Sequence, residues 1–170
     1  MFVLGIDPGL SRCGYAVLDA GRRPARPVAL GVLRTSPDDP VPRRLHELQT
    51  EVRSLLAEYR PVAVAVERVL FSVNVRTAIG VAQAAGVVMT EAVGAQAEVA
   101  EYSPNEVKLA VTGDGAADKA QIEAMVQRLL RIARPIRPVD AADAAAIALC
   151  HLAHAPMQAR VATARAGSAR

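Results

Sequence analysis

The sequence predicts an α/β protein in which one mixed, five-stranded sheet carries helices on both faces. First, three short apolar segments with short connections open the chain, which is typical of an antiparallel meander. Second, from residue 43 onward, segments with helical spacing of apolar residues alternate with two further strand-like segments. Third, two strands that each end in an acid are separated by a helix, as in a parallel crossover. The 170 residues suit a single domain.

The predicted strands are short, mostly apolar and bounded by turn residues. The first runs into Asp7, after which Pro8 and Gly9 stop the strand pairing. The fourth runs into Glu67, and a crossover between the two strands places both acids at the same edge of the sheet. The five predicted strands cover residues 2–7, 14–19, 28–35, 61–67 and 96–102.

Helices are predicted over residues 43–59 and 75–93, then after Ser103 and after Asp118, each a capping residue, and finally from Asp140 to His154. The second helix is rich in alanine and glycine, which allows close approach to another helix of this chain or of a second copy. Residues 156–170 carry arginines but no acids, so a basic, disordered tail is expected beyond a domain of residues 1–155.

Composition narrows the possible functions. The formal charge of +3 and the pI of about 9.2 are compatible with a nucleic-acid partner. Cys13 and Cys150 have neither disulfide-framework nor zinc spacing, which favours a reducing compartment and a cytoplasmic protein. The N-terminus lacks the features of a signal peptide, and no uncharged apolar stretch is long enough for a membrane span.

Four acids stand out by position: Asp7 and Glu67 end adjacent strands, while Asp140 and Asp143 lie three apart at the start of a helix and share a face. The helical pair also fits an ordinary helix cap, and Asp7 alone fits a turn. Together, however, converging carboxylates repel each other and require divalent cations. Oxygen ligands favour magnesium or manganese, and two such ions support phosphodiester hydrolysis.

Lys108 and Lys119 are the two lysines of the chain, and they flank the glycine-containing stretch 113–117. Most lysines are solvated surface residues. Near the predicted acidic edge, however, a lysine would hold a scissile phosphate or steady an attacking water as a compact charge.

These residues resemble the RuvC family of Holliday junction resolvases along nearly the whole chain, apart from the tail. The short motif Gly5-Ile6-Asp7-Pro8-Gly9 is shared with other ribonuclease H-like proteins, whereas the complete set of acids and lysines is specific. The further matching positions are Gly14-Tyr15, Val66-Glu67, Phe71, Asn74, Gln83, Gly86, Pro104, Val107-Lys108, Val111-Thr112-Gly113, Lys119-Ala120-Gln121 and Asp140-Ala141-Ala142-Asp143-Ala144.

The resemblance implies a ribonuclease H-like fold and a homodimer that nicks opposing strands of a four-way DNA junction symmetrically, in recombination and repair. Asp7, Glu67, Asp140 and Asp143 match the family's metal-binding acids, and Lys108 and Lys119 match its catalytic lysines. Two Mg²⁺ ions per site, or Mn²⁺, are the implied cofactors. The RuvA and RuvB branch-migration proteins are the implied partners, in a bacterial cytoplasm and at the nucleoid.

The residues implied as DNA contacts match the family pattern less closely than the acids do. Phe71 is the candidate to stack or wedge at the junction centre, one position later than the aromatic of many relatives. Arg68, Asn74 and Arg76 are further candidates, together with the two lysines. An arginine expected before Gly86 is alanine here, and Arg68 and Arg76 would compensate for its charge.

Three other readings remain. A ribonuclease H-like nuclease of the YqgF type would act on RNA, but such proteins are generally shorter and lack the two-lysine segment. A non-catalytic junction-binding protein would not require four intact acids. One lobe of an actin- or hexokinase-like phosphotransferase would require a second domain, for which 170 residues leave no room.

Overall fold

The computed structural model describes the backbone of residues 1–69 and 75–168 and the side chains of residues 1–69 and 78–155. Within these ranges the chain alternates between the strands of one sheet and the helices that cover it. The strands are β1 (Phe2–Asp7), β2 (Arg12–Asp19), β3 (Arg26–Arg34), β4 (Ala63–Glu67) and β5 (Glu98–Tyr102). The helices are α1 (Val41–Tyr59), α2 (Val75–Gly94), α3 (Pro104–Thr112), α4 (Lys119–Leu130) and α5 (Val139–Ser168).

The sheet has the order β3-β2-β1-β4-β5, so the first strand is central. Antiparallel pairing joins β1 to β2 and β2 to β3, which confirms the predicted meander. The pairing of β1 with β4 and of β4 with β5 is parallel, which confirms the predicted crossover through α1. Because β1 and β4 run side by side in one direction, their carboxyl ends meet at one edge.

Two hydrophobic cores lie on opposite faces of the sheet. On one face Leu4 and Ile6 pack with apolar residues of α1 and α2, including Leu48 and Val88. On the other face Val3 packs with residues of α3, α4 and α5. Since both faces are covered, β1 reads as an almost continuous apolar segment rather than an alternating one.

The predicted capping residues begin their helices, but the last helix is longer than predicted. Ser103 and Asp118 each accept a hydrogen bond from the backbone amide three residues on, in complete capping boxes. The predicted end of the last helix at His154 is wrong, because α5 continues to Ser168 through a segment rich in alanine and other helix formers. The division into a domain of residues 1–155 and a separate tail stays a prediction. No helix in the described ranges combines the length and apolarity needed to cross a membrane.

Candidate active site

The first two acids of the site lie on neighbouring strands. Ile6 of β1 and Val66 of β4 are partners in the parallel ladder, and Asp7 and Glu67 are the next residues of the two strands. Both acids are half-buried. The sheet therefore holds the two carboxylates side by side at its edge, as the sequence predicts.

The other two acids are brought to this edge by α5, which packs directly on the backbone of β1 and β2. A Cβ atom on Gly5 would lie 2.2 Å from the carbonyl oxygen of Ala144, and one on Gly14 would lie 2.1 Å from that of Asp140. Only glycine permits so close an approach. The alanine-rich face of α5 thus lies against two strand glycines, and this contact sets the position of Asp140 and Asp143.

The lysines enter the site from α3 and α4. The ammonium group of Lys119, the first residue of α4, donates a hydrogen bond of 2.9 Å to Oδ2 of Asp143. Lys108 of α3 lines the same cavity, whose volume is about 450 Å³. Five of the six predicted catalytic residues line this cavity: Asp7, Glu67, Lys108, Lys119 and Asp143. The other lining residues form a mainly apolar wall of Pro104, Val107, Ile122, Ala146 and Ile147.

The electrostatics of the cavity show that the acids interact with one another. Burial, followed by the charges of Glu67, Asp143 and Asp140, raises the pKa of Asp7 to about 7. Burial and then the charge of Asp143 also raise the pKa of Glu67. The positive charge of Lys119 lowers both pKa values and so partly compensates the negative charge of the acids. A further cation among these carboxylates would relieve the repulsion between them.

Asp140 differs from the other acids, because its side chain does not line the cavity. Both of its carboxylate oxygens accept hydrogen bonds from Arg12, at the start of β2. These bonds lower the pKa of Asp140. Arg12 was not among the predicted site residues, although its position just after the β1–β2 turn, near the edge that carries Asp7, indicates such a place.

The acids fit a hard divalent cation by their donor chemistry rather than by a preformed arrangement. Among the described residues, no three acid, histidine or cysteine side chains are placed to hold a metal ion as they stand. Arg12 engages Asp140 and Lys119 engages Asp143 in this conformation. The oxygens are nevertheless of the type that magnesium and manganese prefer, and Asp7, Glu67 and Asp143 share one cavity. The donor set therefore fits such an ion once these pairs open.

The predicted DNA contacts are only partly covered by the structure. Phe71 and Asn74 lie outside the described residues, and so does the side chain of Arg76. Arg68 is exposed, and its Nη2 donates a hydrogen bond of 3.3 Å to the carbonyl oxygen of Glu101 on β5. All four remain predictions as DNA contacts.

A mixed sheet in this order, with carboxylates at the ends of β1 and β4 and on a helix packed against them, defines a ribonuclease H-like nuclease. The family model described as crossover junction endodeoxyribonuclease RuvC matches residues 3–151. The chain therefore belongs to the RuvC family of crossover junction endodeoxyribonucleases. Both the predicted fold class and the predicted family are confirmed.

Relatives and solved structures agree with this assignment. RuvC of Salinispora arenicola is 53% identical over 134 residues, which cover 78% of this chain and 77% of the relative. RuvC of Rhodococcus opacus is 50% identical over 170 residues, which cover 99% of this chain and 90% of the relative. The Thermus thermophilus RuvC structure has a TM-score of 0.86 at 37% identity, and the match covers 93% of this chain and 97% of that one. The same protein in complex with a Holliday junction substrate has a TM-score of 0.87 at 37% identity, and the match covers 93% of this chain and 96% of that one.

Proposed function

We propose that this chain resolves four-way DNA junctions by metal-dependent phosphodiester hydrolysis, with Asp7, Glu67, Asp140 and Asp143 as the metal-binding acids. The observation that carries the proposal is the convergence of acids from β1, β4 and α5, with a lysine from α3 and one from α4, at one edge of the sheet. Membership of the RuvC family supports DNA as the substrate. It also sets aside the RNA-directed and phosphotransferase readings.

In this mechanism each residue of the chain has a defined task. Divalent ions, when bound, supply Lewis acidity and a nucleophilic water to the reaction. Asp7 and Glu67 would hold such ions from the strand ends, and Asp143 and Asp140 would hold them from α5 once Lys119 and Arg12 release these carboxylates. Lys119 and Lys108 then face the phosphodiester across the cavity and balance its negative charge. We infer two Mg²⁺ ions per site, with Mn²⁺ as a substitute.

The active form in this proposal is a homodimer. A four-way junction has near two-fold symmetry, so a two-fold dimer presents two equivalent sites to opposing strands. The glycine- and alanine-rich α2 is the proposed interface. Ala84 and Ala85 are buried within the chain's own core, whereas Ile79 is 50% exposed and Val93 is 60% exposed. Their exposed apolar surface supports α2 as the contact with a second copy.

The remaining DNA contacts follow from the same arrangement. Phe71, Arg68, Asn74 and Arg76 lie in sequence between the end of β4, at the site, and the first turn of α2, at the proposed dimer interface. This position in the sequence supports these residues as DNA contacts, with Phe71 as the proposed stacking or wedge residue at the junction centre. The RuvA and RuvB proteins are the proposed partners, in the cytoplasm and at the nucleoid.

The proposal is tested with Asp7→Asn and Glu67→Gln, and with Glu47→Gln as a matched control on the exposed side of α1. We expect the first two variants to lose junction cleavage by about three orders of magnitude, because several kcal/mol of metal-assisted stabilisation disappears. Junction binding in chelator should persist. The control should cut as the wild type does, with symmetric nicks in magnesium or manganese.

Thermal unfolding provides a readout that is independent of cleavage. At 100 times its dissociation constant, magnesium should stabilise the wild type by about 2.7 kcal/mol. Asp7→Asn should melt at a higher temperature than the wild type in chelator, because one repelling carboxylate is gone, and should gain less from magnesium. Equal cutting of plain duplex, or full activity in chelator, would refute the proposal.

A further inference from the structure

A second charged feature lies at the opposite end of the sheet from the acids. Arg22, Arg23 and Arg26, from the β2–β3 turn and the start of β3, face Arg131 at the end of α4 across a cleft of about 530 Å³. We call these residues the arginine cleft. Its remaining lining residues are Pro24, Ala25 and Leu130, so no acid lines it.

The charges of the arginine cleft are largely uncompensated. In the described part of the chain, Arg23, Arg26 and Arg131 have no ion pair, and Arg22 reaches only Asp19, at 3.7 Å. Elsewhere in the described part of the chain Arg53 binds Glu91 and Arg137 binds Glu123. Arg34 and Arg60 are unpaired there as well, so it is the clustering of unpaired arginines around one cleft that sets these residues apart. A cluster of like charges without counter-charges attracts an anion, and a polyanion most strongly.

The cleft is also held in shape before any ligand binds. Pro24 and Pro27 restrict the backbone of the turn that carries three of the arginines. On the other side Leu130 is 4% exposed in the core, and Arg131 closes α4 with a left-handed backbone. Little ordering of the backbone is therefore required on binding, which favours affinity.

The distance from the cleft to the carboxylate cavity can be measured along two elements. Helix α4 begins at Lys119 in the cavity and ends at the cleft, which at 1.5 Å per residue is about 18 Å. Along β2, Gly14 pairs with Asp7 and Asp19 with Phe2, a span of about 17 Å at 3.4 Å per residue. A DNA strand has one phosphate per roughly 3.4 Å, so this span equals about five nucleotides.

We propose that the arginine cleft binds the phosphate backbone of a duplex arm of the same DNA that is cut at the carboxylate cavity, about five nucleotides from the cut. This inference rests on the proposed function. Closely spaced guanidinium groups suit a phosphate backbone, because each can donate two parallel hydrogen bonds to one phosphate. The cleft positions the arm without reading its sequence.

The first test measures binding of a labelled four-way junction by fluorescence anisotropy in chelator, with arms of about 15 base pairs that extend past the cleft. The Arg23→Gln/Arg26→Gln variant removes two unpaired charges. The control, Arg43→Gln/Arg60→Gln, removes two exposed charges of α1 and its C-cap. We expect the slope of log affinity against log salt to fall by about two for the cleft variant and to stay unchanged for the control.

The second test locates the contact on the DNA. Uncharged methylphosphonates replace the phosphates about four to seven nucleotides from the cut. Wild-type affinity should drop to that of the cleft variant, and the variant should lose nothing more. Additive losses, or a salt slope equal to that of the control, would overturn the proposal. So would unchanged junction binding with selective binding of an acidic peptide to the wild type.

Cleavage in magnesium at saturating protein separates the two proposals. If the proposed function holds, the wild type and the Arg43→Gln/Arg60→Gln control both cut, because neither control arginine lines the cavity or the cleft. If neither protein cuts, the proposed function fails, while the anisotropy data still decide whether the cleft binds DNA.

Discussion

Substitution of Gly14 by alanine should damage both the fold and the site, because α5 rests on this residue. The new Cβ would lie 2.1 Å from the carbonyl oxygen of Asp140 and 3.1 Å from its Cβ. Backbone atoms cannot turn away as a flexible side chain can, so α5 must shift by roughly 1 Å. Overpacking of this kind costs about 1–3 kcal/mol, or roughly 2–12 °C in melting temperature for a chain of this size. A displacement of that size in a catalytic group costs about 100-fold in rate.

The assay for Gly14→Ala combines thermal unfolding, followed by circular dichroism, with junction cleavage in magnesium. Ser54→Ala is the control, because Ser54 is exposed on α1 and its hydroxyl donates only to the carbonyl oxygen of Thr50 in the same helix. The control should keep wild-type activity and melt at the same or a slightly higher temperature. A Gly14→Ala protein with wild-type stability and activity would show that α5 does not depend on this contact.

Two further predictions concern buried polar side chains. Arg44→Ala should lower the free energy of unfolding in urea by about 2–3 kcal/mol, since its buried guanidinium donates to Thr35 and Ser11; an unchanged midpoint would contradict this. Burial lowers the pKa of His151 below 6.5, so the unfolded chain binds a proton more readily than the folded one. Urea unfolding should therefore show a loss of stability as the pH falls below about 6.5. This loss should be smaller in His151→Gln, and an equal loss would exclude His151 as its source.

The sheet and its acidic edge were predictable because their signals are local. Each strand is a short apolar segment between turn residues, and Asp7 and Glu67 each end one. The pairing of β1 with β4 was predictable because a helix between two strands is typical of a parallel crossover. Ser103 and Asp118 were predictable for the same reason, since a capping box lies within four residues.

The missed features are contacts between distant parts of the chain. Arg12 and Asp140 are separated by 128 residues. The position of Arg12 just after the β1–β2 turn indicates a residue at the acidic edge, but no local pattern identifies Asp140 as its partner. Arg44 lies next to a leucine stripe of an amphipathic helix and would be placed in solvent by its type, yet it is 8% exposed. Its guanidinium is buried because Ser11 and Thr35, on two other segments, supply oxygens to it.

The sequence by itself determined which residues carry the chemistry and which strand or helix carries each. Periodicity, helix caps and strand ends depend on residues that are close together in the sequence. Only the tertiary structure decided how the charges are distributed among them. It placed Lys119 on Asp143 and Arg12 on Asp140, and among the described residues it left Arg23, Arg26 and Arg131 of the cleft without an ion pair. The reason is physical: Coulomb energies and burial depend on distances through space, and those distances exist only once α5 has packed onto the glycines of β1 and β2.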